Sequence, residues 1–156
     1  MSELKARRRA DYPYSLSYRT RWSDNDQYAH INNSVYYHFF DSIINTYLIH
    51  HCGLPPRTAD APLIGLVVSS FCHFFEPLSF PSVLELGLRV SKLGKSSVTY
   101  EVGVFGEGKD APSAVGGYTH VFVENQSRKS TQMGSRTRKG LQGLQSSIPV
   151  QLRAKL

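Results

Sequence analysis

Apolar residues between positions 33 and 50 fall in adjacent pairs four residues apart, the recurrence expected when one face of an α-helix is buried. These residues are Val35, Tyr36, Phe39, Phe40, Ile43, Ile44, Tyr47 and Leu48. Asn32 and Asn33 precede them as capping residues, and Gly53 and two prolines follow them. The pattern predicts a helix over residues 33–50, about 27 Å long at about 1.5 Å per residue, that forms the core of the domain.

The period of the apolar pattern changes from helical to two after the helix. Alternating segments predict four strands, at residues 63–75, 83–93, 97–105 and 114–124. Another strand is predicted ahead of the helix, at residues 12–22, and a short exposed helix at 135–145. Turn signals at 93–95 and 106–112 favour antiparallel neighbours. This order of elements predicts an α+β domain in which a strongly bent antiparallel sheet wraps one long helix.

Polar residues crowd the approach to the long helix. Asp24, Asp26, His30, Asn32 and Asn33 lie within ten residues. A helix N-terminus presents free N–H donors and partial positive charge, which suit a polarised carbonyl or a developing oxyanion. A carboxylate beside such a site can act as a base or a nucleophile. The same residue types are also ordinary helix caps, so the residues alone leave both interpretations open.

The run W-S-D-N-D-Q-Y-A-H-I-N-N-S-V-Y-Y, at residues 22–37, resembles a known signature. It is the D-x-D-x-x-(G)-H-x-N-N-x-x-Y motif of hotdog-fold acyl-CoA thioesterases of the 4-hydroxybenzoyl-CoA thioesterase type. The resemblance implies that Asp26, the second aspartate, is the catalytic carboxylate. It also implies that the backbone N–H of Asn33 or a neighbour polarises the thioester carbonyl. It extends more loosely to about residue 124 and implies the hotdog fold.

His30 matches the histidine of the motif, which belongs to the catalytic set in the plant acyl-carrier-protein thioesterases. Two departures from the family pattern concern the same turn. Ala29 stands where many members have glycine, and Tyr28 stands where the plant enzymes have asparagine. An Asp-Asn-His set therefore does not carry over whole. The expected roles are that His30 orients Asp26 or the thioester and that Asn32 holds the turn.

A basic turn with hydroxyl side chains is predicted between two strands, and it contains Lys92, Lys95, Ser96 and Ser97. The resemblance implies that a turn in this region contacts the nucleotide phosphates of coenzyme A, with Lys95 and Ser96 as the best match. Lysines at a hairpin are also commonly just solvated. Asn32 and Tyr36 complete the predicted substrate-binding set.

Two further groups of residues are candidates for the site. Glu76 could serve as a second carboxylate, although an acid that ends a strand before proline is common. Five phenylalanines could line the acyl pocket, although a core role is the ordinary fate of such residues. They are Phe39, Phe40, Phe71, Phe74 and Phe75.

Length and composition predict one globular domain, because 156 residues with 40% hydrophobic content can bury a core. We divide it into a basic arm at 1–11, a hotdog domain at 12–145 and a flexible tail at 146–156. The net charge of +6 comes mainly from the chain ends, without interleaved aromatic residues, so we expect no nucleic-acid partner. A basic surface also suits a substrate that carries several phosphates.

Several classes of protein are disfavoured by simple counts. The apolar runs are far shorter than the ~18 residues of a membrane helix, so no membrane span is expected. Two cysteines without C-x-x-C spacing and the lack of a signal-peptide pattern favour a reducing compartment. The histidines and cysteines show no metal-ligand spacing, so we expect no metal, and the chemistry requires no cofactor.

The last three residues, Ala-Lys-Leu, resemble the S-K-L class of peroxisomal targeting tripeptide. The ending predicts a peroxisomal location, with the import receptor as a partner, if the source is eukaryotic, and a cytoplasmic location otherwise.

Together these features predict an acyl-CoA thioesterase of fatty acid metabolism that releases a free acid and coenzyme A. The resemblance implies a homodimer or homotetramer whose active sites lie between subunits. Two alternatives remain open: a hotdog hydratase or dehydratase of acyl thioesters, and a non-catalytic acyl-CoA binding protein. The sequence does not specify the acyl group, or whether coenzyme A or an acyl carrier protein carries it.

Overall fold

A computed structural model describes residues 1–57, 59 and 61–145. Its five strands, all antiparallel, form one sheet in the order β1-β3-β4-β5-β2. They are β1 (Tyr14–Arg19), β2 (Leu63–Phe74), β3 (Val83–Leu93), β4 (Ser97–Phe105) and β5 (Ala114–Glu124). The helices are α1 (Ser2–Lys5), α2 (Val35–His51) and α3 (Ser135–Gln142). The predicted α+β order of one strand, one long helix and four strands is confirmed.

Strand β1 is shorter than the predicted 12–22. Thr20 ends it by bonding to the loop before β3, because its hydroxyl donates to the Ser82 carbonyl at 3.0 Å. Trp22–Asp24 then form a single 3₁₀ turn, which redirects the chain towards α2. The structure thus inserts a compact turn between the first strand and the residues of the motif.

Strand pairing gives the sheet two distinct ends. Arg19 pairs with Val83, and Phe74 pairs with Ala114, so these residues share what we call the Arg19 end. The opposite, Leu63 end holds Leu63, which pairs with Glu124, together with the turn that joins β3 to β4.

Helix α2 lies on one face of the sheet and runs from the Arg19 end to the Leu63 end. Near its start Tyr36 contacts Phe74, with ring centroids 4.9 Å apart. Near its C-terminus Tyr47 contacts Tyr14, with centroids 5.0 Å apart. The helix begins at Val35, two residues later than predicted, and all eight residues of the predicted apolar stripe are buried. Burying each large side chain contributes about 1.5–3 kcal/mol, so this stripe holds the helix in place.

The N-terminal segment packs against the other face of the sheet. Tyr12 is buried and occupies the space that Cβ atoms at Gly87 and Gly103 would fill, at 2.7 and 2.8 Å from its ring. Glu101, only 4% exposed, accepts hydrogen bonds from the Arg7 guanidinium at 2.8 and 3.2 Å and from the Tyr12 hydroxyl at 3.0 Å. The predicted basic arm therefore supplies the partner of a buried carboxylate.

Helix α3 packs against the C-terminal end of α2. The Tyr47 hydroxyl donates to the Gly140 carbonyl at 2.7 Å, and the Thr137 hydroxyl donates to the Cys52 carbonyl at 3.1 Å. None of the helices within the described ranges is long and apolar enough to cross a membrane. The predicted tail at 146–156, with its Ala-Lys-Leu ending, lies outside the described residues.

The Glu101 ion pair yields a stability prediction. Glu101→Gln leaves the Arg7 guanidinium, whose side chain is only 15% exposed, without its carboxylate, so we expect a loss of about 3 kcal/mol in unfolding free energy. Urea denaturation measures it. Glu76→Gln, in the exposed Glu76–Lys109 pair, is the matched control and should leave the midpoint nearly unchanged. Equal, small effects of both changes would show that the N-terminal segment does not depend on this carboxylate.

Candidate active site

The first aspartate of the motif, Asp24, is fully buried and makes structural contacts. Its carboxylate accepts from the Arg21 backbone N–H at 2.7 Å and from the Arg21 guanidinium at 3.1 and 3.0 Å. Its carbonyl oxygen accepts the Asn32 N–H at 2.9 Å. Asp24 therefore ties the end of the 3₁₀ turn to the start of α2, and both of its carboxylate oxygens are engaged.

The second aspartate, Asp26, begins a tight turn that ends at His30. The Asp26 N–H donates to the His30 carbonyl at 2.8 Å, and the Ala29 N–H donates to the Asp26 carbonyl at 3.2 Å. Ala29 has a φ of 61°, a left-handed conformation that favours glycine. The turn requires a positive φ at position 29, and this chain has alanine there where many family members have glycine.

Only one oxygen of the Asp26 carboxylate accepts a hydrogen bond from the described part of the chain. Its Oδ1 accepts the Tyr28 N–H at 2.8 Å, and Oδ2 has no hydrogen bond to any residue that the structure describes. The side chain is half-buried and lines a cavity of about 400 Å³ with Trp22 and Phe80. An oriented carboxylate with one free oxygen is suited to take a proton or to attack a carbonyl.

Asn32 closes the turn that leads into α2. Its Oδ1 accepts from the Ser34 N–H at 3.0 Å and from the Ser34 hydroxyl at 2.8 Å, and its carbonyl accepts the Val35 N–H at 2.9 Å. The capping role anticipated for Asn32 and Asn33 is not observed, because Ser34 occupies the N-cap position and no described side chain makes a capping hydrogen bond there. The Asn33 N–H donates to no other residue in the described part of the chain, so it remains an open donor at the positive end of the helix.

His30, Asn33 and Tyr36 line a second cavity, of about 260 Å³, together with Phe74 and Glu76. Within one chain, Asp26 therefore lines one cavity, and Asn33, whose backbone N–H is the open donor, lines a neighbouring cavity. The turn separates them, since Ala29 lines the cavity of Asp26 and His30 lines that of Asn33.

Tyr36 forms an apolar wall of the second cavity. It is 2% exposed and packs edge-on against Phe39 and Phe74. Burial, with a smaller effect of Cys72, raises the pKa of Tyr36 to about 12. The phenol is therefore neutral at physiological pH and adds no charge beside the start of α2.

Glu76, the alternative carboxylate, is exposed and paired. It accepts from the Lys109 ammonium at 2.6 Å, and this hydrogen bond lowers the pKa of Glu76 below its ordinary value. A carboxylate already neutralised by a lysine is a weaker base than a free one.

The basic turn lies at the Leu63 end of the sheet, at the opposite end of the molecule from Asp26. Lys92 and Lys95 are exposed, Ser96 and Ser97 are half-buried, and the Gly94 N–H closes the turn by donating to the Ser97 carbonyl at 2.8 Å. Strand β3 separates this turn from the Arg19 end by 11 residues, or about 36 Å at about 3.3 Å per residue. One chain alone does not bring the predicted phosphate-binding residues to the predicted catalytic ones.

Three residues around these sites were not predicted to belong to them. Trp22 and Phe80 form the aromatic wall beside Asp26, and Trp22 is 83% exposed. Arg138 of α3 donates to the Gly94 carbonyl at 2.8 Å, which adds a third basic side chain near the turn. The sequence shows Trp22 two residues before Asp24, whereas the contacts of Phe80 and Arg138 depend on tertiary structure.

Comparison with known proteins identifies the class to which this fold and site belong. A family model described as the thioesterase superfamily matches residues 28–112, more than half of the chain. The chain belongs to this superfamily and is a thioester hydrolase with the hotdog fold. No curated protein matches the chain.

Solved structures share this architecture. The PA5185 protein from Pseudomonas aeruginosa strain PAO1 is 45% identical, with a TM-score of 0.87 over 92% of this chain and 99% of that one. A gentisyl-coenzyme A thioesterase is 19% identical, with a TM-score of 0.72 over 82% of this chain and 99% of that one. A 1,4-dihydroxy-2-naphthoyl-CoA thioesterase from Synechocystis is 12% identical, with a TM-score of 0.74 over 82% and 94%. The two more distant structures show the shared fold.

The left-handed conformation of Ala29 yields a prediction. Ala29→Gly should raise the unfolding free energy by about 1 kcal/mol, because glycine adopts this φ without strain, and Ala29→Val should lower it by a similar amount or more. Ala29→Val should also reduce thiol release, since the turn holds Asp26. Urea denaturation and a thiol assay measure both effects. Ala111→Val, at an exposed position without positive φ, is the control. A neutral Ala29→Val would show that the turn tolerates a side chain of any shape.

Proposed function

We propose that this protein hydrolyses an acyl-CoA thioester to a free acid and coenzyme A, with Asp26 and the start of α2 as the catalytic groups. The observation that carries the proposal is that a carboxylate with one free oxygen and an open N–H donor lie on either side of one turn. The membership of the chain in the thioesterase superfamily supports the reaction class. The matched range begins two residues after Asp26, so the role of Asp26 rests on the motif and on this geometry.

The carboxylate can act by either of two routes. As a general base, Asp26 takes a proton from water, the hydroxide attacks the carbonyl carbon, and the C–S bond breaks as the proton passes to the thiolate. As a nucleophile, it forms an acyl anhydride and expels the thiolate, and water then hydrolyses the anhydride. Both routes place negative charge on the carbonyl oxygen, which the Asn33 N–H would stabilise at the N-terminus of α2.

His30 has a supporting role in this proposal. Its carbonyl is fixed by the Asp26 N–H, while its exposed imidazole lines the cavity of Asn33. This arrangement favours contact of His30 with the thioester over contact with the Asp26 carboxylate. Tyr36 would form the apolar wall beside the carbonyl, and Asn32 would hold the turn that leads into α2.

The decisive test is thiol release from a panel of short, medium, long and aromatic acyl-CoAs. Asp26→Asn should lower turnover by about 10²–10⁴-fold, because the amide can neither accept the proton nor form the anhydride. Glu76→Gln is the matched control, since this alternative carboxylate lines the neighbouring cavity, and it should retain turnover.

Three outcomes would contradict the assignment. Wild-type rates in Asp26→Asn would remove its catalytic role. Saturable acyl-CoA binding without thiol release by the wild type would favour the binding protein. Hydration of enoyl-CoA without hydrolysis would favour the hydratase.

We infer further that the active protein is a two-fold dimer formed along β2. This strand is an edge of the sheet, and Val67 and Val68 on it are 51% and 60% exposed. An exposed apolar edge strand is a template for pairing with a second copy. Antiparallel pairing of two β2 strands would give one continuous sheet and cover these valines.

Such a dimer would also complete the substrate site. A two-fold axis near the middle of β2 sets the Leu63 end of one subunit beside the Arg19 end of its partner. Lys95, Ser96 and Arg138 of one subunit would then face the Asp26 side of the other. Basic and hydroxyl groups there suit the nucleotide phosphates of coenzyme A, with Lys92 and Ser97 adding to the same turn.

The dimer proposal is tested with Val68→Arg. Position 68 lies near the middle of β2, so each arginine would oppose its own copy across the axis, and like charges in opposed positions weaken pairing. We expect a folded monomer with little thiol release, measured by sedimentation, circular dichroism and the thiol assay. Ser15→Arg, on the exposed β1 edge, adds the same charge and should leave the dimer intact. An active Val68→Arg monomer would overturn the shared site.

A further inference from the structure

A third cavity, of about 530 Å³, lies at the Leu63 end between the second half of α2 and the start of β2. Its walls are mainly aliphatic, with contributions from Leu48, Ile49, Ile64 and Leu66. It lies about 15 residues along α2 from Asn33, or about 22 Å, so it is not part of the catalytic set of the same chain.

One buried polar side chain, His120, lines this cavity. It is 5% exposed, and its imidazole makes no hydrogen bond to another residue within the described ranges; Nδ1 is fully enclosed and unpaired. The rings of Tyr100, Tyr118 and Phe122 surround it, with centroids 5.4, 4.8 and 6.3 Å away. Burial lowers the pKa of His120 to about 4, so the ring is neutral at physiological pH. Buried polar groups are normally paired. Because Nδ1 is enclosed, Nε2, which is not among the enclosed atoms, is the ring nitrogen that can meet a ligand in the cavity.

The residue that faces His120 lets the imidazole pack closely against the backbone of β2. A Cβ atom at Gly65 would lie 2.7 Å from Nδ1 and 2.9 Å from Cγ of His120. Any larger residue at position 65 would displace the ring or close this side of the cavity. Gly65 also lines the cavity, so the glycine and the histidine together form one wall.

We propose that this cavity receives the acyl group of a thioester whose carbonyl is held by the other subunit, and that His120 hydrogen-bonds a hydroxyl on that acyl group. The inference rests on the proposed function and on the two-fold dimer, which sets the cavity of one subunit beside Asn33 of its partner. Since Nδ1 is enclosed, the hydroxyl would pair with Nε2, which donates or accepts according to the tautomer of the neutral ring. The aliphatic walls take the carbon skeleton.

The first test compares matched acyl-CoA pairs with and without a hydroxyl, both aliphatic and aromatic. For at least one pair the wild type should prefer the hydroxylated substrate by about tenfold or more in kcat/KM, since the unsubstituted acyl group leaves the imidazole unpaired. His120→Phe, which keeps a ring of similar size, should reduce the ratio to about one. His120→Gln, which restores a hydrogen-bonding group, should recover part of it.

Two outcomes of this comparison would overturn the inference. One is wild-type turnover without preference for any hydroxylated member, which leaves the proposed hydrolysis intact. The other is an unchanged preference in His120→Phe, which would assign recognition of the hydroxyl to another residue of the cavity, such as the exposed Arg128.

The second test asks whether the cavity acts across the dimer. Asp26→Asn and His120→Phe subunits are co-expressed with different tags. Mixed dimers isolated through both tags should then show about half of the wild-type turnover with preference for the hydroxylated substrate, because each holds one intact site and one site that lacks both groups. Turnover without preference would place His120 and Asp26 in one chain's site and overturn the inference.

A readout without catalysis separates this inference from the proposed function. Calorimetry measures binding of the matched free acids to wild type and His120→Phe. Tighter binding of the hydroxylated acid to the wild type alone would support the His120 site even if no acyl-CoA were cleaved. Equal binding by both proteins would overturn it.

Discussion

The burial of the apolar stripe of α2 against the sheet is the constraint on which the rest of the structure depends. Phe39, Phe40, Ile43 and Ile44 are completely buried, so the helix can neither rotate nor slide without exposing them. This contact fixes the start of α2 beside Phe74, at the Arg19 end of the sheet. The open N–H of Asn33 therefore has a defined position, which a polarising group needs in order to act on a carbonyl.

Two aspartates separated by a single residue serve different purposes because their surroundings differ. Asp24 is buried, and Arg21 engages both of its oxygens, so it holds the chain in shape. Asp26 is half-buried and keeps one oxygen free of described partners. The turn between Asp26 and His30 preserves this difference, and the left-handed residue at position 29 makes that turn possible. The fixed aspartate thus orients the one that remains available for chemistry.

The fold was predictable from the sequence because its signals are local and periodic. The eight-residue stripe identified α2, and alternation identified β2 to β5 with nearly correct bounds. The 3₁₀ turn at Trp22–Asp24 was missed, because its contacts to Arg21 and Asn32 depend on the folded approach loop. The contact of the N-terminal segment with Glu101 was missed for a similar reason, because it joins residues 94 positions apart.

The candidate site was predictable only in part, because its members come from opposite ends of the chain's own fold. The motif identified Asp26, His30 and Asn33 together, since they lie within eight residues of one another. The basic turn at Lys95 and the cavity at His120 both lie at the Leu63 end, far from these residues along α2. A single subunit therefore places the proposed catalytic residues at one end of the sheet and the proposed binding residues at the other. An antiparallel pair along β2 would bring opposite ends of the two subunits together at two places. The same pairing would cover the exposed apolar edge of the sheet.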